Sequence, residues 1–138
     1  MNVVDSSAWL EYFADGPNAE DFAAAIEHTE SLVVPTVAVY EVYERVLQQR
    51  NEPAALQALG VMLQGHVVDL TTNLALSAAR ISVSHALPMA DALILATATV
   101  YRATLWTQDA DFEGFDGVEY RPARRRSRGD AAQRRIEP

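Results

Sequence analysis

The stretch Val3-Val4-Asp5-Ser6-Ser7-Ala8-Trp9 decides the class of fold. Val3 and Val4 are β-branched and apolar, as a short buried strand requires, and the run closes on a carboxylate. Ser6 and Ser7 then offer the side-chain oxygens that cap a helix, ahead of Ala8-Trp9-Leu10-Glu11-Tyr12-Phe13. A strand that runs straight into a helix is the first half of a βα unit, and such units build parallel sheets.

The alternation continues along the chain. Asp15-Gly16-Pro17 breaks the first helix, residues 18–29 carry Ala19, Phe22, Ala23 and Ile26 on one helical face, and Leu32-Val33-Val34 reads as a second strand. Pro35-Thr36 opens a helix to about Arg50, expected to turn Val39, Tyr43, Val46 and Leu47 inward. A helix over 54–64 stops at Gly65, and residues 66–70 form a short strand. Thr71-Thr72-Asn73 caps a helix over 74–85, and Met89 to Tyr101 is a nearly uniform apolar helix interrupted by Asp91. Thr104-Leu105-Trp106 reads as a buried strand and residues 117–120 as a last edge strand. The expected fold is α/β, a short, mainly parallel central sheet flanked by helices on both faces.

At 138 residues and 49% hydrophobic content the chain suits one domain with a substantial core. No apolar stretch approaches the ~18 residues of a membrane span. The start, Met1-Asn2-Val3-Val4, lacks the basic and long apolar regions of a signal peptide, so the expectation is a cytoplasmic protein without membrane contact. With no cysteine, disulfides, thiolate nucleophiles and sulfur-built zinc sites are excluded. The three histidines, His28, His66 and His85, lack the paired spacing of a metal site or a nucleophile and base, and read as structural.

Charge divides the chain. All eleven basic residues are arginine; residues 1–120 hold four of them against seventeen acids, a balance of −13, while residues 121–138 hold seven against two, a balance of +5. The reading is a domain over 1–120 followed by an arginine-rich, flexible tail over 121–138. A body of that sign repels a polyanion, so a nucleic-acid substrate would need local cations, from Arg45, Arg50, Arg80, Arg102 or the tail, or a bound metal.

Four acids stand where apolar residues are expected: Asp5 and Asp109 just past strands, Glu41 and Asp91 inside apolar helices. A carboxylate in such a setting is costly to bury unless its charge is offset. In open α/β sheets, sites form outside the carboxyl ends of the strands, where Asp5 and Asp109 fall. Glu41 and Asp91, each within about two turns of a helix start, can face the same rim. An oxygen-rich cage of this kind suits Mg²⁺ or Mn²⁺, which can activate water and stabilise charge on a phosphate. Asp111 competes with Asp109 for the fourth place, but reads rather as the cap of the turn into Phe112.

Four segments, Val-Val-Asp-Ser-Ser-Ala-Trp at 3–9, Thr-Val-Ala-Val-Tyr-Glu-Val at 36–42, Pro-Met-Ala-Asp-Ala-Leu-Ile-Leu-Ala-Thr-Ala at 88–98 and Trp-Thr-Gln-Asp-Ala-Asp-Phe at 106–112, resemble the successive motifs of PIN-domain ribonucleases. The resemblance is nearest to VapC-type toxins of toxin–antitoxin pairs and spans residues 1–120, with the arm from about 121 outside the usual pattern. It implies an Mg²⁺- or Mn²⁺-dependent endoribonuclease acting on single-stranded or loop RNA, homodimeric, and silenced by a cognate antitoxin. Carried over, Asp5 and Asp91 would be the principal metal ligands, Asp109 would complete the cage, and Glu41 would bind a second ion or orient the attacking water. Ser6 and Thr107 match the hydroxyl positions beside the acids.

Two other α/β classes with acids at strand ends are excluded. A phosphoacceptor receiver needs a lysine at the site and this chain has none; a haloacid-dehalogenase-like phosphatase needs an aspartate two residues after the first, where Ser7 stands. The alternative within the fold is a PIN-like module that binds RNA or regulates without cleaving.

Overall fold

The computed structural model describes residues 1–124. In chain order the elements are β1 (Asn2–Val4), α1 (Ser6–Phe13), α2 (Ala19–Glu27), β2 (Leu32–Pro35), α3 (Thr36–Gln49), α4 (Glu52–Met62), β3 (His66–Val68), α5 (Thr72–His85), α6 (Met89–Val100), β4 (Thr104–Thr107) and β5 (Val118–Tyr120). Short 3₁₀ turns at Thr29–Ser31 and Ala110–Phe112 complete the described chain.

The five strands form one sheet in the order β3-β2-β1-β4-β5, and every neighbouring pair is parallel. Successive strand residues point to opposite faces. Val3 and Val4 are both fully buried, so helices cover both faces of β1, and Val33 and Val34 show the same for β2. Across the faces α6 packs on β1, β2 and β4, while α2 packs on β1. Burying a large apolar side chain of this kind stabilises by about 1.5–3 kcal/mol. The core is anchored by such residues: Trp9, Phe22, Ile94, Leu105 and Phe112.

Local choices differ from the sequence reading at several termini. Asp5, rather than the serines, is the N-cap of α1; its carboxylate accepts from the Ser7 backbone N–H, and Ser6 is already helical. A carboxylate caps as well as a hydroxyl and favours the positive end of the helix dipole. Asn51 caps α4, so that helix begins at Glu52 and not at residue 54. On α3 the buried face is Ala38, Val42 and Val46, with Leu47 40% exposed, so the expected inward face was rotated. The rotation has a consequence for Glu41, which follows Ala38 by three residues and adjoins Val42, at the margin of the buried stripe. The expected tail lies largely outside the described residues, of which only 121–124 belong to it.

Candidate active site

The strand order reverses direction at one place. Starting from β1 the chain builds outward to β2 and β3, then returns to the other side of β1 with β4 and β5. In open parallel sheets the crevice at that switch, outside the carboxyl ends of the strands, is where ligands bind. Asp5 follows β1 and Asp109 lies just beyond β4, so both flank the switch point, and the Asp5 N–H bonds the Trp106 carbonyl at 2.9 Å to tie the two strand ends together.

Asp5 is only 1% exposed. Its Oδ2 accepts from the Ser7 hydroxyl at 2.6 Å, the Thr107 hydroxyl at 2.9 Å and the Ser7 backbone N–H at 3.3 Å. Thr107 Oγ1 in turn accepts from the Asp109 N–H at 2.9 Å, and Ser7 Oγ accepts from the Gln108 N–H at 3.2 Å. Each hydroxyl proton is thereby directed at Asp5. Among the described residues, Oδ1 of the same carboxylate is buried with no hydrogen-bond partner, as is Oε1 of Glu41. Burial raises the Asp5 pKa, against the lowering effect of Ser7 and Thr107, and nearby Asp109 raises it further.

Glu41 reaches this region from α3, where burial raises its pKa and the nearby Ser6 hydroxyl has the opposite, lowering effect. Asp5, Glu44 and Asp109 add repulsion. Asp91 arrives in the first turn of α6, immediately behind Pro88. Its pKa is pushed up to about 7, chiefly by burial and then by the charges of Asp5, Asp109, Glu41 and Asp111. The four acids anticipated from the sequence are therefore electrostatic neighbours in the fold.

The structure adds a fifth. Asp91, Asp109 and Asp111 each place one carboxylate oxygen within 4.8 Å of the other two. Asp109, and not Asp111, is the cap of the turn into Phe112, with its Oδ1 accepting from the Asp111 N–H at 2.9 Å. That bond leaves the Asp111 carboxylate free of the capping role assigned to it. Ser7 is likewise nearer the chemistry than the sequence suggested, since its hydroxyl and N–H hold Asp5. The signal for both was the Asx-type turn geometry of Asp-Ser-Ser and Asp-Ala-Asp, in which a carboxylate bonds the backbone two residues on.

Five carboxylates crowded at one rim cannot all ionise without compensation. Hard oxygen donors with unused lone pairs, including the orphaned Asp5 Oδ1 and Glu41 Oε1, fit a small divalent cation such as Mg²⁺ or Mn²⁺. Asp91, Asp109 and Asp111 could hold such an ion, with Asp5 and Glu41 beside them. Of the cations expected to help a polyanion, Arg45 and Arg50 line a groove of about 820 Å³ that also borders Ser7 and Gln108. Arg102 precedes β4 and so lies at the opposite edge of the sheet.

A five-stranded parallel sheet of this order with an acidic switch point is the architecture of a PIN domain, and residues 3–118 match that family. The chain belongs to the PIN domain family. Among solved structures it is similar to a toxin–antitoxin complex from Klebsiella pneumoniae, at 22% identity and a TM-score of 0.71, over 86% of this chain and 96% of that one. It is also similar to VapC20 of Mycobacterium tuberculosis, a toxin that cleaves the sarcin-ricin loop, at 21% identity and a TM-score of 0.72, over 86% and 98%. DNA-bound VapBC from Salmonella typhimurium is similar at 14% identity and a TM-score of 0.68, over 88% and 96%. At these identities the likeness establishes the fold. No curated protein matches the sequence.

Proposed function

We propose that this protein is a metal-dependent endoribonuclease that hydrolyses phosphodiester bonds of single-stranded or loop RNA, and that it is the toxin of a cytoplasmic toxin–antitoxin pair. The observation that carries the reading is the convergence of Asp5, Glu41, Asp91, Asp109 and Asp111 at the switch point of a PIN fold. The similar structures that are toxins or toxin complexes, one of them a toxin that cleaves the sarcin-ricin loop, support it.

A divalent ion bound there supplies Lewis-acid polarisation of the phosphate and a more acidic water. The chain's own groups set the stage for that chemistry. Ser7 and Thr107 fix the Asp5 carboxylate in one orientation, so it presents the same edge to the site in every molecule. Asp91 holds a proton for part of the time near neutral pH and gives it up as the site takes on positive charge. Glu41, whose Oε1 is buried without a partner among the described residues, takes the role of accepting a hydrogen bond from the attacking water and orienting it.

Two surfaces support the partners. The groove beside the site mixes Leu10, Phe13, Val46 and Val61 with Arg45 and Gln49, a composition suited to an amphipathic antitoxin segment. On α5, Leu76 and Val83 are exposed seven residues apart on one face, at 52% and 87%, as a homodimer contact would require. The test is incubation of the purified protein with end-labelled RNA at neutral pH. Discrete fragments with Mg²⁺ or Mn²⁺, absent with EDTA, are expected; intact RNA under both conditions would leave only a non-cleaving PIN-fold module that binds or regulates.

A further inference from the structure

We propose that Asn18 is a positioning residue for the acid cluster. Its buried side chain locks Gln108, the residue before Asp109, and docks residues 121–124 against the same turn, so the affinity of the site for a divalent cation depends on a residue that carries no charge. The inference deepens the metal-site reading above and rests on it.

Asn18 is the N-cap of α2, where an asparagine ordinarily turns its side chain back onto the N–H groups of its own helix. Here it makes no such bond. The residue is 2% exposed, and both ends of its amide are committed to other segments. Nδ2 donates to Gln108 Oε1 at 3.1 Å and to the Pro122 carbonyl at 2.9 Å, while Oδ1 accepts from Arg124 Nε at 2.7 Å. The Arg124 guanidinium also donates to the Pro17 carbonyl, and the Asn18 N–H donates to Glu11 Oε2 at 2.8 Å. A buried amide is costly unless its bonds are made, so the three segments that meet at Asn18 hold one another in place.

Gln108 carries that hold into the site. Its N–H donates to Ser7 Oγ at 3.2 Å, and its neighbours in the chain are Thr107, whose hydroxyl holds Asp5, and Asp109. Thr107 turns its side chain to Asp5 and Gln108 turns its own to Asn18, so the end of β4 is gripped from two sides. Arg121 strengthens the second grip. Its N–H bonds the Thr107 carbonyl at 2.9 Å, and its guanidinium lies over the Trp106 ring at 5.6 Å and within 3.9 Å of Asp21.

Asp109 requires such a hold. One of its carboxylate oxygens lies within 4.8 Å of oxygens from Asp91 and Asp111, and like charges at that spacing push their carriers apart. The chain beyond it offers little resistance, because Ala110 and Asp111 are exposed and the turn is three residues long. A ligand free to drift must be ordered again each time an ion binds, and outer residues that prevent this raise metal affinity.

The experiment is calorimetric titration of Mg²⁺ into the full chain as wild type, Asn18→Ala, Gln108→Ala and the double variant, each shown to be folded by circular dichroism. The two single changes should each weaken Mg²⁺ binding about tenfold, as loss of a ligand's supporting partner does. The double variant should lose no more than either single one, because both changes remove the same bond. A purely structural Asn18 would lower the thermal midpoint and leave Mg²⁺ affinity alone. Should Asn18→Ala fail to fold, Gln108→Ala decides, since its side chain is only half-buried. Wild-type affinity in the folded variants overturns the inference, and so do losses that multiply in the double variant. If the wild type takes up no Mg²⁺, the metal-site reading and this inference fall together; if it binds Mg²⁺ and the variants match it, only the inference falls.

Discussion

The Thr107 hydroxyl donates to Asp5 Oδ2 at 2.9 Å across a sequence separation of 102 residues, and in the same geometry accepts the Asp109 N–H at 2.9 Å. One side chain thus fixes two of the acids, one at the end of β1 and one beyond β4. Removing the donor with the isosteric Thr107→Val should cost about ten- to hundredfold in Mg²⁺ affinity, the usual effect of losing a ligand's orienting partner. Calorimetric titration of Mg²⁺ measures it, and circular dichroism should show the fold retained. Affinity equal to wild type would mean that Ser7 alone positions Asp5.

Asp91 makes metal-free stability depend on pH in a particular direction. Its carboxyl has a pKa of about 7 in the folded chain against 3.8 unfolded, so between those values the folded state binds the extra proton. Stability from this group is full below pH 3.8 and is lost as pH rises through about 7. Asp5 and Glu41 are raised in the same sense. In EDTA the thermal midpoint should fall between pH 5.5 and pH 8, Asp91→Asn should flatten that fall, and Mg²⁺ should restore most stability at the alkaline end. A midpoint that climbs with pH across this window would contradict the burial of the cluster.

Asp111 tests whether the fifth acid belongs to the site. Asp109→Asn removes a carboxylate oxygen and also weakens the cap to the Asp111 N–H, whereas Asp111→Asn removes charge without touching that bond. Both should lower Mg²⁺ affinity, Asp109→Asn more steeply and Asp111→Asn by about tenfold. Wild-type affinity in Asp111→Asn would return Asp111 to a solvent-facing turn residue.

Most of the fold was legible because its elements are strongly patterned. Val3-Val4, Leu32-Val33-Val34 and Thr104-Leu105-Trp106 are apolar runs too short for helices, and each is followed or preceded by a cap or breaker. The acid cluster was legible for the same reason in reverse: Asp91 in Ala-Asp-Ala-Leu-Ile-Leu stands where its own helix is otherwise apolar. What periodicity could not reveal was decided by hydrogen bonds two residues long. Asp5 caps α1 ahead of two serines, and Asp109 caps the turn that frees Asp111. The inward face of α3 was misread because Tyr43 and Leu47 are apolar yet only partly covered, while small Ala38 is fully buried.

Gly65 reports on the packing of the chain entering β3 against β2. A Cβ there would lie 2.8 Å from Val34 Cγ2 and 3.0 Å from Leu32 Cδ2, both on residues buried in β2. Neither can swing away, so Gly65→Ala should destabilise by about 1–3 kcal/mol through overpacking. Urea unfolding checks this; a shift below that range would show slack between β2 and the chain entering β3.

We assign metal-dependent RNA hydrolysis to the acid cluster. The most direct test is the cleavage rate of a labelled single-stranded RNA by wild-type and Asp91→Asn protein across a Mg²⁺ or Mn²⁺ titration, with both proteins shown to be folded. The wild type should cleave in a metal-dependent way, and Asp91→Asn should lose at least about a hundredfold of that rate, which added metal does not recover. Equal cleavage by the two proteins would contradict it.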